Sequence, residues 1–318
     1  MYGMALRVSL LLLALLLLAG DLRAAQGGPD AGGYYFIDST EAGGPVYSFN
    51  DLTVSPTATT WTAIFGGAQP GDDEHGWVAI NPAPFIFPYY GAALDLGDNV
   101  AGGMWISTNG WICFNYNGDG TFDPGVTNPE VGGYFGNVAI PAAAVINNTI
   151  YPYWDDLYGP GDGAPTGEIW GDVQGAAPNR TLVIQWNNMC RLADDSPVDF
   201  EVIIREGSSD ILFQYRSMNG TGTGDSATVG IENGAGAIGT QYSFDTPGSI
   251  VNGRAILFTL TAPGGGGGAG AGGNEVTGGG SGGGGCLVRA QDARAALPCG
   301  AAAALLCLSL LALCVRRG

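Results

Sequence analysis

The chain has 318 residues, with 11 arginines and no lysine, 29 acidic residues, one histidine and 56 glycines, and a formal net charge of −18. Absence of lysine removes Schiff-base chemistry, a P-loop lysine and lysine isopeptide cross-links, and the charge excludes nucleic acid, which is held by clustered cations. The length allows one or two domains and a substantial core.

The N-terminus reads Arg7, an apolar run from Val8 to Ala19, then Gly20-Asp21-Leu22-Arg23-Ala24-Ala25. A basic start, a short apolar run and small residues at its end predict a secretory signal helix over residues 1–25, cleaved after Ala24 or Ala25. The alternative is an uncleaved anchor, for which the run is short. Export is the expectation.

Residues 26–262 read as a β domain with a core over 34–261. Short β-rich runs alternate with Gly, Asn, Asp and Pro clusters. The clearest are Met104–Ser107, Trp111–Phe114, Thr149–Tyr153, Glu168–Trp170, Thr181–Trp186, Asp199–Arg205, Ile211–Tyr215, Ala227–Ile231 and Arg254–Leu260. Glu206-Gly207-Ser208-Ser209-Asp210 predicts a hairpin loop. No window of this region carries a helical apolar period. The expected fold is therefore all-β, an antiparallel β-sandwich, with a jelly-roll arrangement open. Leu182-Val183-Ile184 and Val202-Ile203-Ile204 are apolar at consecutive positions, which predicts strands buried from both sides.

The candidate chemistry is sparse. His75, the one histidine, lies in Gly71-Asp72-Asp73-Glu74-His75-Gly76, an acidic run that reads as a solvated surface loop. One histidine and two domain cysteines do not make a usual zinc set. Asn115, Asn117, Asp119, Thr121 and Asp123 present oxygens at every second position around Gly118 and Gly120, close to a calcium loop. The pattern departs from that loop at its first place and lacks the bidentate glutamate, so the ion would be held weakly; an ordinary turn is the alternative. Trp154, Asp155 and Asp156 place an aromatic beside two carboxylates, a candidate ligand face or glycosidase pair. Neighbouring strand residues point to opposite faces, however, so both acids serve one site only if the strand has ended. Cys113 and Cys190 allow one disulfide or two buried thiols on neighbouring strands. No catalytic residue is assigned.

An ordered series of segments then becomes recognisable. Phe85-Ile86-Phe87-Pro88-Tyr89-Tyr90-Gly91 is followed by Ile106-Ser107-Thr108-Asn109-Gly110-Trp111-Ile112 and Ile150-Tyr151-Pro152-Tyr153-Trp154-Asp155-Asp156-Leu157. Val183-Ile184-Gln185-Trp186-Asn187-Asn188, Asp199–Ile203, Asp210–Tyr215 and Ala227–Asn233 continue it. The series resembles nidogen-like extracellular β domains, and Gly33–Ser39 with Gly43-Gly44-Pro45 resembles the form found in secreted bacterial proteins. The resemblance covers roughly residues 34–261. It implies extracellular display and adhesion or matrix roles, with no catalytic constellation to carry over; an acid after the tryptophan belongs to the pattern, which favours a structural role there.

Residues 263–285 form a glycine-rich linker, with 15 glycines in the 22 positions from 264 to 285, a composition that cannot bury a core. Cys286 opens a C-terminal segment, 286–318, with an apolar stretch over about 298–315 and a closing Arg316-Arg317-Gly318. The expectation is a transmembrane helix with its basic end inside. The order of linker, cysteine, helix and arginines resembles bacterial C-terminal sorting signals, in which Cys286 would be the processing or lipid-modification site. A permanent tail anchor is the alternative. Taken together, the sequence predicts an exported domain at the cell envelope or outer surface. Its membrane partner would be reached through the C-terminal helix or a lipid, with release after processing as a variant. The expected work is non-catalytic adhesion, display or binding of a glycan or surface protein, without a cofactor other than calcium. The alternatives are a secreted glycan hydrolase using paired carboxylates and a passive envelope component.

Overall fold

The computed structural model describes residues 26–97, 102–114, 135–143 and 146–263. The predicted signal helix, the glycine-rich linker, Cys286, the C-terminal helix and the Asn115–Asp123 loop lie outside them. The chain divides into two units, Met1–Gly267 and Gly268–Gly318, and every described residue belongs to the first. No helix among the described residues is long and apolar enough to cross a membrane.

In chain order the strands are β1 (Gln26–Gly27), β2 (Tyr35–Asp38), β3 (Thr59–Thr60), β4 (His75–Val78), β5 (Ile86–Tyr89), β6 (Ala92–Asp95), β7 (Met104–Ser107) and β8 (Ile112–Cys113). They continue with β9 (Thr149–Trp154), β10 (Leu157–Tyr158), β11 (Glu168–Gln174), β12 (Thr181–Arg191), β13 (Pro197–Arg205), β14 (Ile211–Met218), β15 (Thr228–Glu232), β16 (Gly239–Phe244) and β17 (Arg254–Thr259). One α-helix of a single turn, α1 (Trp61–Ile64), is described. A nine-stranded sheet runs β1-β2-β17-β14-β13-β12-β11-β3, with β10 beside β12. A six-stranded sheet runs β16-β15-β9-β8-β7-β4, and β5-β6 form a separate hairpin. Every pairing is antiparallel. All nine strands read from the sequence are present. β13 and β14 meet as the predicted hairpin across residues 206–210.

The two sheets share one core, as a β-sandwich requires. Leu182, Ile184, Trp186, Phe200 and Val202 from the larger sheet join Ile106, Ile112, Ile150 and Val229 from the smaller. Trp186 Nε1 donates to Ser107 O at 2.8 Å and Tyr215 Oη to Pro152 O at 2.6 Å, so polar ends of large core rings bridge the layers. Each fully buried Leu, Ile, Val or Phe contributes about 1.5–3 kcal/mol relative to exposure.

The consecutive apolar residues of β12 and β13 are explained by a second covering layer. Val183 and Ile203 face away from the main core and pack with Leu52, which belongs to a segment lying across that outer face. The smaller sheet is also covered outside, by a cluster of Trp105, Trp111, Cys113, Ile140, Ile146, Tyr151 and Trp154. Between β7 and β8, Gly110 turns with φ +72° and packs so close to β9 that a Cβ would lie 2.0 Å from Tyr153 O. Only glycine fits there.

The thiols correct one expectation. Cys113 and Cys190 are buried and are not bonded to each other. They stand in different sheets rather than on neighbouring strands: Cys113 Sγ donates to Asn147 O at 3.3 Å, and Cys190 Sγ lies 3.6 Å from Thr166 O. The disulfide is not formed because each residue packs into a separate cluster.

Candidate functional site

The structure separates the three residues of the expected ligand face. β9 ends at Trp154, whose side chain is 0% exposed and stacks on Tyr151 at 4.9 Å. It therefore presents no ring face to a sugar, which corrects that part of the sequence reading.

Because the strand has ended, Asp155 turns inward. Its Oδ2 accepts from Arg191 Nε at 2.9 Å and from Ser226 Oγ at 2.9 Å, and its Oδ1 accepts from the Asp156 amide at 3.0 Å. Arg191 is buried on β12 and also donates to Asp194 Oδ2 at 3.1 Å, to Ser226 Oγ at 2.6 Å and to Thr221 Oγ1. Burial raises the Asp155 carboxyl and Arg191 opposes that rise. Asp155 is thus the anion of a buried ion pair tying the end of β9 to β12 and to the loop before β15.

Asp156 faces elsewhere. Oxygens of Asp72, Asp73 and Asp156 all lie within 4.8 Å of one another, and all three residues are half-buried. Burial, then the charges of Asp72, Asp73 and Asp155, push the Asp156 carboxyl up to about 6. Burial, then Asp73 and Asp162, raise Asp72 as well. The paired carboxylates of the sequence reading therefore do not serve one site. Asp155 neutralises an arginine, and Asp156 joins two acids contributed from a distant part of the chain.

Those acids are brought together by a backbone bridge between Asp72 and Tyr158 and by the turn after β7. Asn109 is fully buried; its Nδ2 donates to Asp73 Oδ1 at 2.9 Å while its Oδ1 accepts from the Leu157 amide at 2.8 Å. Thr108 Oγ1 accepts from the Glu74 amide at 3.0 Å, and the Thr108 amide donates to Glu74 O at 2.9 Å. One buried asparagine thus holds the 72–74 turn and the end of β9 in a fixed relation. His75 opens β4 opposite Ser107 rather than standing in a solvated loop. It is half-buried, with its ring 5.5 Å from that of Trp105 and 6.2 Å from that of Trp111. Burial lowers its pKa. A cleft of about 370 Å³ lies alongside, lined by Trp61, Phe65, Ala68, Asp73, Glu74 and His75.

Among the described residues, Asp72, Asp73 and Asp156 are the group whose ligand atoms could hold a metal ion, and an all-oxygen set suits hard cations such as calcium. Sequence reasoning missed Asp72, Asp73, Asn109 and Arg191. The available signal was the run of three acids immediately before an aromatic strand, together with the shortage of arginines. The metal-loop residues Asn115, Asn117, Asp119, Thr121 and Asp123 and the processing residue Cys286 lie outside the described residues.

A scan against family models matches residues 51–263 to the family described as NIDO related. The match starts at the segment covering the outer face of the larger sheet and ends just past β17, so it takes in both faces of the core. No curated protein and no solved structure matches the chain. With most of its length matched, and with the segments of the ordered series lying in the strands and turns of one shared core, the chain belongs to the NIDO-related family.

Proposed function

We propose that this protein is an exported, envelope- or surface-anchored β domain whose work is adhesion, display or ligand binding without catalysis. The observation that carries this reading is the Asp155–Arg191 pair. One of the two carboxylates read from the sequence as a hydrolytic pair, Asp155, is buried and neutralised by a guanidinium, and the neighbouring Trp154 has no exposed face. Membership of a nidogen-related family supports an extracellular role by analogy of fold, which does not by itself fix a ligand. Acidic and aromatic groups around the cleft beside His75 suit hydrogen-bonding or cationic partners. Calcium is the cofactor this reading admits, and a calorimetric titration with neither heat nor thermal shift at millimolar calcium would refute it.

The test presents the purified protein to arrays of glycans and surface proteins and assays the same glycans for new reducing ends. Saturable capture without product supports the proposal. A second reading, glycan hydrolysis, draws on Asp156, because a carboxyl raised to about 6 keeps its proton into the mildly acidic range in which a general acid could work. Product formation that disappears in Asp156→Asn would favour it and overturn the first. Neither capture nor product would leave a passive envelope component. For the anchor, mass spectrometry of the mature C-terminus decides: a terminus at Cys286 supports processing, and an intact tail refutes it.

A further inference from the structure

Between the edges of the two sheets lies a cavity of about 430 Å³. Ile169 and Ile184 of the larger sheet form one wall and Val78 and Ile106 of the smaller sheet the other, with Trp61 and Phe65 contributed by α1 and its C-terminal cap. We propose that this cavity is a binding site for a neutral, largely apolar small molecule.

Three observations carry the inference. The first is the glycine in the wall. β11 alternates strictly, with Ile169 and Val173 packing into the shared core and Trp170 into the outer cluster. Gly171 therefore occupies an inward position, paired with Ile184 on one side and Thr59 on the other. A Cβ there would meet nothing within 4 Å, and its φ lies outside the left-handed region. Neither the backbone nor a crowded neighbour demands glycine. A strand glycine weakens the sheet and often marks the close approach of a ligand.

The second observation is size. The space is a cleft partly open to solvent rather than a sealed void, and at about 430 Å³ it has room for a small molecule. Apolar pockets of several hundred Å³ with a few polar groups at one end are the usual form of small-molecule sites.

The third is charge. Among the described residues no arginine lines the cavity, and the charged lining residue, Asp172, already accepts from Ser55, Thr57 and Gln174 through Oδ2. A fatty acid or other anion would meet no cation in the wall and a strongly negative chain outside it. A neutral ligand carries no such penalty, and Thr57, Thr59 and Asn81 offer hydrogen bonds to a hydroxyl or carbonyl. The inference is independent of the surface-binding reading, since it concerns the space between the sheets and an apolar ligand.

Hexafluorobenzene is a suitable probe, being uncharged, compact and visible by fluorine NMR. It is titrated into the full-length protein, with Gly171→Leu measured under identical conditions so that partition into detergent or any other apolar part of the chain cancels. The expected result is a saturable shift at one site per chain, weakened at least about 10-fold in Gly171→Leu with no fall in Tm. Should Gly171→Leu fail to fold, Gly171→Ala carries the test alone. One methyl in open space is expected to weaken uptake roughly 3-fold while leaving Tm unchanged or higher. Absence of saturable uptake by the unmodified protein, as when another part of the chain fills the space, overturns the proposal. So does equal uptake by a folded Gly171 variant.

Discussion

The outer face of the larger sheet and the end of β9 both hold sequestered acids, in opposite electrical circumstances. On the outer face, Glu201 is fully buried and accepts from the Asn50 amide at 3.0 Å and from Gln214 Nε2 at 2.7 Å. Gln185 accepts from the Leu52 amide at 2.9 Å and donates to Asp199, which accepts from Arg216 Nε at 2.7 Å. Side chains there act as a further strand edge, and residues 48–52 are fastened to it. At the end of β9 the acids face one another, and the nearby arginine is already engaged by Asp155. Buried polar groups with partners specify a fold, whereas clustered like charges destabilise it. The contrast marks the first region as structural and the second as the place where stability is given up.

The strongest test of that distinction removes the cation at the end of β9, which Asp155 already engages. Arg191→Ala leaves Asp155 buried without its partner and is expected to cost about 3–5 kcal/mol in denaturant unfolding. A loss below about 1 kcal/mol would mean the pair is not structural.

A smaller effect comes from pH. Burial pushes Glu201 up to about 8 and Glu232 up to about 7, against ordinary values of 4.5. The folded state therefore keeps protons that the unfolded state releases. Their stabilising contribution is complete below about pH 4.5 and is lost as pH rises through about 7 and then about 8. Unfolding midpoints are expected to fall between about pH 5 and pH 9, with Glu201→Gln flattening the upper part of the decline. A profile that rises across that range would contradict the assignment.

The smallest effect sharpens the other side. Asp72→Asn or Asp73→Asn relieves like-charge repulsion and is expected to raise stability by up to about 1 kcal/mol, since half-exposed charges are screened. Salt should shrink the gain. Destabilisation by either variant would show that the turn needs its charge.

Much of the fold was legible because strands announce themselves locally. Runs such as Val202-Ile203-Ile204 carry both their β preference and their two-sided burial in consecutive residues, and the structure supplies both layers. Local signals failed where a position's meaning depends on distant residues. β12 continues past Trp186 through polar Asn187 and Asn188 because a bulge against β13 absorbs them. His75 is flanked by acids that suggest solvent, yet two tryptophans brought by β7 and the following turn half-bury it. The cluster was illegible for the same reason. Asp72-Asp73 and Asp155-Asp156 read as turn chemistry, and the buried Asn109 and a backbone bridge between Asp72 and Tyr158 set one run beside the other. Gly171 likewise resembles any other glycine until the empty space beside it is seen.

Adjacent residues allow the most direct test of this division of labour. Asp155→Asn and Asp156→Asn make the same chemical change one position apart, and their unfolding free energies can be compared at neutral pH. The structure predicts that Asp155→Asn loses about 3 kcal/mol, because buried Arg191 loses its one buried carboxylate and keeps only the more exposed Asp194 and Asp225, while Asp156→Asn loses nothing or gains slightly. Equal losses, or a larger loss at Asp156, would contradict it.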